Sequence, residues 1–462
     1  MKQSERGAGL TARILRRVYR TSAFSAIPLI VLGFAAIILL GSLLLALPAA
    51  SASGRSVGWF DALFTAVSAV CVTGLVVVDT GTAYSTFGHV VLLVLIQLGG
   101  LGFMTFATLL FRLMGRQASL RERMILRESM NSEDGGIVRL VQWVALSAFT
   151  VELLGAGLFS LRFIPMYGPG RGVFYAVFHA VSAFCNAGFD LFGGGKSLTD
   201  FVGDGLVNAT AILLVVVGGL GFGVLNDLLR GFHRRRLRLH TRLVLASYGI
   251  LFAAGFIVNL ALEWSNPGTL GPMTFGGKTL AALFQTMTLR TAGFNTISQI
   301  DLRDSTKLVN CLLMLIGAAP ASTGGGVKVT TMAILWLTVR MIVRGEDDLN
   351  VFGRRLDRGL IQRALAIVFI AIAVVFADVC ALSLLQPEEA FLDVLYECTS
   401  AMGTVGISAF GSAKLVPLSR VLIMLTMFAG RVGPMTLALL FARRQVRSRP
   451  LVRYPEEHVL IG

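Results

Sequence analysis

The chain has 462 residues, 55% hydrophobic and only 15% charged, whereas an ordinary soluble domain carries roughly 25% charged residues. Its net charge of +15 comes from clusters between apolar stretches, not from a basic face on a soluble domain, which excludes nucleic acid as a partner and leaves an integral membrane protein embedded in a lipid bilayer. The five cysteines, at 71, 185, 311, 380 and 398, form no CxxC pair and no metal spacing with histidine, so they read as small apolar residues.

Residues 1–24 are polar and basic, and the apolar run behind them has full membrane length, unlike a cleaved signal peptide. Eight stretches then satisfy the requirement of about 20 apolar residues for a crossing. They lie at 25–47, 89–111, 140–164, 206–229, 243–264, 308–340, 360–385 and 420–441. Lys and Arg concentrate in residues 1–24, Arg112 to Arg139, Arg230 to Arg242, Arg340 to Arg363 and 443–462, together 29 of the 41 basic residues. All these segments fall on the side that holds both termini, which the positive-inside rule makes the cytoplasm.

Short apolar pieces remain after the first, third, fifth and seventh stretches, and they align without a gap. They are GWFDALFTAVSAVCVTGL (Gly58 to Leu75), GVFYAVFHAVSAFCNAGF (Gly172 to Phe189), GKTLAALFQTMTLRTAGF (Gly277 to Phe294) and AFLDVLYECTSAMGTVGI (Ala390 to Ile407). The first two agree at ten of eighteen positions, and all four reach a glycine one residue from the end: Gly74, Gly188, Gly293 and Gly406. Each repeat therefore reads as outer helix, short helix, glycine turn, polar return and inner helix. A short helix of about 12 residues reaches roughly 18 Å, half a bilayer. Irregular backbone at that depth is tolerated only when buried in protein or lining a wet cavity. Four such turns around one axis form a ring of carbonyls able to replace the hydration shell of a cation. The expected fold class is an all-α integral membrane protein, with four fused helix–pore-loop–helix repeats around one pseudo-fourfold pore and eight transmembrane helices. The units are a cytoplasmic segment 1–24, repeats 25–113, 139–230, 242–341 and 360–442, and a cytoplasmic tail 443–462.

Each inner helix carries a glycine-rich break: QLGGLGF (Gln97 to Phe103), VVGGLGFG (Val216 to Gly223), APASTGGGVK (Ala319 to Lys328) and AGRVGPM (Ala429 to Met435). The first two read equally as close-packing motifs. In the third, three glycines and Pro320 interrupt a long span and cannot stay helical. Its GGGVK run is not a phosphate loop, because Val327 separates glycine from Lys328 and no strand precedes it. Lys328 and Arg431 lie at membrane depth, where a charge costs about 2.5–3.5 kcal/mol on insertion scales and is rarely idle. Lys328 can also snorkel, whereas Arg431 suits an electrostatic barrier below a cation ring or a partner for the glycine-rich loop. Glu152, Glu263 and Asp378 on outer helices read as partners for such bases or as interface residues, and Arg290 as a brace for the third turn through an ion pair.

These segments resemble the Trk/Ktr/HKT potassium transporter superfamily. TAGFN at Thr291 to Asn295, NAGFD at Asn186 to Asp190, STGGGVK at Ser322 to Lys328 and GRVGP at Gly430 to Pro434 are similar to its hallmark segments. With eight spans the chain is most similar to the Ktr-type membrane subunit. The resemblance implies potassium uptake through a filter lined by the backbone of Val72, Thr73, Gly74 and Leu75, of Asn186, Ala187, Gly188 and Phe189, of Thr291, Ala292, Gly293 and Phe294, and of Thr404, Val405, Gly406 and Ile407. K+ would bind these carbonyls, with no covalent cofactor and with Na+ admitted as a coupling or activating ion. Serine in place of glycine in the first loop accompanies sodium transport in the family, so Gly74 favours potassium. Ser322, Thr323, Gly324, Gly325, Gly326 and Lys328 would form an intramembrane gating loop with Arg431 in the barrier. A homodimer gated by a cytoplasmic ring of nucleotide-binding regulatory subunits, in a bacterial inner membrane, is implied as well. The first turn departs from the others in carrying Val72, where they have Asn186, Thr291 or Thr404.

Two other classes fit the sequence less well. A secondary transporter of another small solute would use broken helices, but such folds are usually built from two repeats, often inverted. An intramembrane enzyme would need a nucleophile–base pair or a metal site, and the five histidines, His89, His179, His233, His240 and His458, are dispersed without HExxH.

Overall fold

The computed structural model describes residues 31–102, 137–234, 237–433 and 436. Segment 1–24, the end of the second predicted span from 103, most of the following connector and the tail 443–462 lie outside the described residues. What is described is almost wholly helical, in four successive outer, short and inner units. The first unit comprises Val31–Leu45, Trp59–Cys71 and Thr86–Leu101. The second comprises Ile137–Tyr167, Pro169–Phe184 and Gly205–Gly219, and the third Leu239–Glu263, Phe275–Thr288 and Asp304–Leu315. The fourth comprises Arg358–Leu385, Phe391–Gly403 and Pro417–Val432.

Among the described residues, two inner helices are interrupted. The second does not run straight over 206–229: at Leu220 and Gly221 the chain turns by 99° into Phe222–Arg234. Gly221 adopts φ +88°, which breaks the helix there. The third stops at Leu315 and resumes at Val329–Val343, leaving the predicted glycine-rich stretch as a loop.

Val141–Tyr167, Leu239–Glu263 and Arg358–Leu385 are each long and apolar enough to cross a membrane, and the bent pair Gly205–Gly219 with Phe222–Leu229 passes the same test together. Their outward faces are apolar, with Leu153, Phe369 and Leu384 each more than 70% exposed. A soluble monomer rarely exposes so continuous an apolar surface. The short helices are the reverse. Their C-terminal halves are buried on every side, because Ala, Ser, Cys and Gly let neighbouring backbones close in.

The four units close into a ring. Each inner helix packs on the short helix of the next unit: 86–101 on 169–184, 205–219 on 275–288, 304–315 on 391–403, and 417–432 on 59–71. Two of these junctions carry ion pairs at equivalent positions. Lys307 meets Asp393 at 2.6 Å, and Arg420 meets Asp61 at 2.6 Å. Asp61 and Asp393 occupy the same place in their repeat segments, and Lys307 and Arg420 the fourth position of their inner helices. Removing one partner of a buried pair costs about 3–5 kcal/mol, because the other charge is left uncompensated. Lys307→Met should therefore lower the thermal midpoint of the detergent-solubilised protein by several degrees, and adding Asp393→Leu should restore part of the loss. An unchanged midpoint in the single variant would show the pair to be idle.

Candidate functional site

The four glycine turns converge on one point. A Cβ built on Gly74 would lie 2.6 Å from the Ala187 carbonyl oxygen, and one on Gly188 would lie 2.5 Å from the Gly293 Cα. One on Gly293 would meet the Val405 oxygen at 2.8 Å, and one on Gly406 would overlap the Thr73 oxygen. The contacts run 74 to 188, 188 to 293, 293 to 405 and 406 to 73, a closed circuit in which only glycine fits.

The backbone of each turn follows one rule. Val72, Asn186, Thr291 and Thr404 have φ of 56°, 59°, 66° and 51°, and the glycines two residues on have φ of 96°, 70°, 82° and 95°. The residue between is not left-handed. Alternating handedness turns successive carbonyls to the same side, where a regular strand would alternate them. The glycines were legible in sequence. The left-handed residues ahead of them were not, since a β-branched Val or Thr at positive φ is an outlier. Such conformations persist only where the surroundings impose them.

The surroundings do so through helix caps. In the first, second and fourth turns two consecutive amides cap the short helix in a Schellman pattern, the second of each pair binding Thr73 to Ser68 O at 2.8 Å, Ala187 to Ser182 O at 2.7 Å and Val405 to Ser400 O at 2.8 Å. The same serines brace the glycines. Ser68 Oγ accepts from Gly74 N at 3.0 Å and Ser400 Oγ from Gly406 N at 3.1 Å, while Ser182 Oγ donates to Phe189 O at 2.8 Å. The third turn has Met287 at that position, and Thr288, one residue on, donates to Phe294 O instead.

On one side of the ring, a cavity of about 470 Å³ touches Gly74, Gly188, Gly293 and Gly406, with Asp79 and Asp190 in its wall. The other side is covered by the loop that breaks the third inner helix. Its contacts are made with the first residue of three turns. Thr323 Oγ1 lies 3.2 Å from Asn186 Oδ1, and Gly325 N donates to Thr404 Oγ1 at 3.1 Å. A Cβ on Gly324 would overlap Thr291 Oγ1. The odd residue, Val72, instead lies against Gly99 of its own inner helix.

The other three glycine breaks hold this loop, so the first two are more than packing motifs. Gly218 O accepts from Thr323 N at 3.2 Å, Gly219 O from Ala319 N at 3.0 Å and Gly430 O from Gly326 N at 3.2 Å. Arg431 supplies the remaining link: its guanidinium donates to Thr323 O, to Gly99 O and to Gly100 O at 3.2 Å. Lys328 folds back to donate to Gly324 O at 2.7 Å, and Ser322 Oγ donates to Ala319 O at 2.6 Å. Neither Lys328 nor Arg431 pairs with an acid among the described residues, so two basic side chains stand beside the ring.

Other side chains differ from expectation. Arg290 makes no ion pair among the described residues. It is buried and donates through Nη1 to Ile316 O at 2.7 Å, where the loop begins. It thus braces by a backbone hydrogen bond. The three acids on outer helices take neutral donors among the described residues: Glu152 from Gln97 at 2.9 Å, Glu263 from Thr306 and Thr269 at 2.5 Å, and Asp378 from Thr426.

Residues 25–448 match the family model described as TrkH, cation transport protein. The chain belongs to the TrkH cation transport protein family. It is 38% identical over 447 residues to the Ktr system potassium uptake protein B of Bacillus subtilis, covering 96% of this chain and 99% of that one. It is 35% identical to the potassium/sodium uptake protein NtpJ of Enterococcus hirae, covering 95% and 97% of the two chains. These relatives are named as ion transporters and not as enzymes. The crystal structure of the potassium transporter TrkH from Vibrio parahaemolyticus superposes with a TM-score of 0.71 at 18% identity, covering 90% of this chain and 84% of that one, and so shares its fold.

Proposed function

We propose that this chain takes up potassium across the plasma membrane through the ring formed by residues 72–75, 186–189, 291–294 and 404–407, with K+ held by backbone carbonyls. The observation that carries the proposal is the meeting of four turns of alternating handedness in one circuit that only glycine fits. In this reading eight spans surround one pseudo-fourfold pore, both termini are cytoplasmic, and the short helices aim their partly negative C-terminal ends at the ion. The relatives named as Ktr system potassium uptake proteins support the choice of ion, and the potassium/sodium uptake protein keeps sodium as a coupling or activating ion. Loop 322–328 acts as the gate, and Arg431 and Lys328 add a positive barrier below the filter. The chain works as a homodimer, and a cytoplasmic ring of nucleotide-binding subunits moves the gate.

Deleting Gly324 to Gly326 tests the gate. The loop would lose its bonds to Thr404 and to Gly430 O, and potassium flux should rise several-fold. Loss of flux in a normally folded deletion would make the loop structural instead.

A further inference from the structure

We infer that a cavity on the apolar outer surface, behind the second turn, is a binding site for small lipophilic amines, with Glu152 as the counter-ion. The cavity has about 310 Å³ and lies between the first inner helix, the second outer helix and the second short helix. Val94, Phe149 and Leu153 form its mouth and are among the outward-facing apolar residues of the molecule. Gln97 and Glu152 are its polar wall. Such a site, mostly apolar with one or two convergent polar groups, has the composition of a small-molecule pocket.

The carboxylate selects the chemistry. Glu152 is 5% exposed, and both of its oxygens accept from a single nitrogen, Gln97 Nε2, at 2.9 and 3.1 Å. No Lys, Arg or His pairs with it among the described residues. A buried carboxylate is favoured by an opposite charge and has lone pairs to spare for one. Depth narrows the source of that charge. Glu152 lies fifteen residues from either end of Ile137–Tyr167, about 22 Å at 1.5 Å per residue. A lipid headgroup does not reach there, whereas an amine that dissolves in the membrane as the neutral base does.

An occupant would be felt at the ring and the loop. Cys185, immediately before the left-handed Asn186, directs its Sγ towards Gln97 Oε1 at 3.6 Å and Glu152 Oε1 at 4.0 Å. A Cβ on Gly100 would lie 2.5 Å from that sulfur, and Gly100 O accepts from Arg431. One chain of contacts thus joins the cavity to the clasp of the loop.

The inference rests on the second outer helix lying in the membrane and not on the identity of the transported ion. The test is equilibrium binding of 1-adamantylamine and of its isostere 1-adamantanol to the full chain in nanodiscs. The amine should bind about tenfold more tightly than the alcohol, since only it forms a charge-assisted hydrogen bond. Glu152→Gln should abolish that difference. Leu153→Trp, which fills the mouth from the lipid side and leaves the charge in place, should weaken both ligands. Equal affinities in the unaltered chain, a preference for the amine that survives Glu152→Gln, or binding untouched by Leu153→Trp would each overturn the assignment. Because binding is read directly, absence of potassium flux would leave this inference standing, and absence of binding would leave the transport reading standing.

Discussion

Replacing Arg431 with alanine is expected to raise potassium flux about tenfold in proteoliposomes of equal protein content. The guanidinium joins Thr323 O in the loop to Gly99 O and Gly100 O in the first inner helix. No other side chain among the described residues makes that link. Hydrogen bonds from a charged donor contribute about 1.5–3 kcal/mol each, and about 1.4 kcal/mol is a factor of ten in a population. The effect is held near that factor because Thr323, Gly325 and Gly326 keep their own bonds to Gly218, Thr404 and Gly430. Arg431→Lys separates clasp from charge, since an ammonium keeps the charge but cannot reproduce the planar fork. A leak through the lysine variant would assign the closure to the hydrogen bonds, and wild-type tightness would assign it to the charge. An unchanged initial rate of rubidium efflux from the alanine variant would remove Arg431 from the barrier.

The second large effect is expected at the ring. Gly74→Ser should reduce the preference for potassium over sodium about tenfold, a discrimination of about 1.4 kcal/mol. Gly74 holds φ +96°, and its added Cβ would stand 2.6 Å from the Ala187 carbonyl oxygen. The backbone must move, and the group displaced is one of the carbonyls proposed to replace the ion's hydration shell. The Gly74 amide, held by Ser68 Oγ at 3.0 Å, anchors one side, so the strain passes to the second turn. Competition of sodium against rubidium uptake measures the change. An unaltered ratio with normal uptake would take Gly74 out of the selective ring.

The repeat organisation was legible because each short segment ends on a glycine in the same register, and glycine is the residue that sequence reasoning associates with positive φ. The ring needed more. Val72, Thr291 and Thr404 are poor candidates for left-handed backbone by propensity, and they adopt it because the capped ends of the short helices and the neighbouring turns leave no alternative. The loop was legible from Pro320 and three glycines, but its partners were not. Glycine pairs at 99–100 and 218–219 look the same in sequence whether they pack helices or offer carbonyls, the first pair to Arg431 and the second to the loop. The 99° turn at Leu220 and Gly221 falls inside VVGGLGFG, whose glycines mark a break in the sequence but do not tell a sharp turn from a packing face. The ion pairs at Lys307 and Arg420 did leave a trace, acids at the fourth position of two aligned repeats, which becomes meaningful only once the packing of each inner helix on the next short helix is known. Arg290 was misread for the opposite reason: its partner is a backbone carbonyl, which leaves no signature in residue type.

The central claim is that the four-turn ring passes potassium, and uptake of radiolabelled rubidium by proteoliposomes containing this chain tests it most directly. Unlabelled potassium, sodium and a neutral amino acid serve as competitors, with a cytoplasmic regulatory subunit and nucleotide added in parallel. The account predicts uptake that potassium suppresses far more effectively than sodium and that the amino acid leaves unchanged. No rubidium uptake in either preparation, or uptake suppressed by the amino acid, would contradict it.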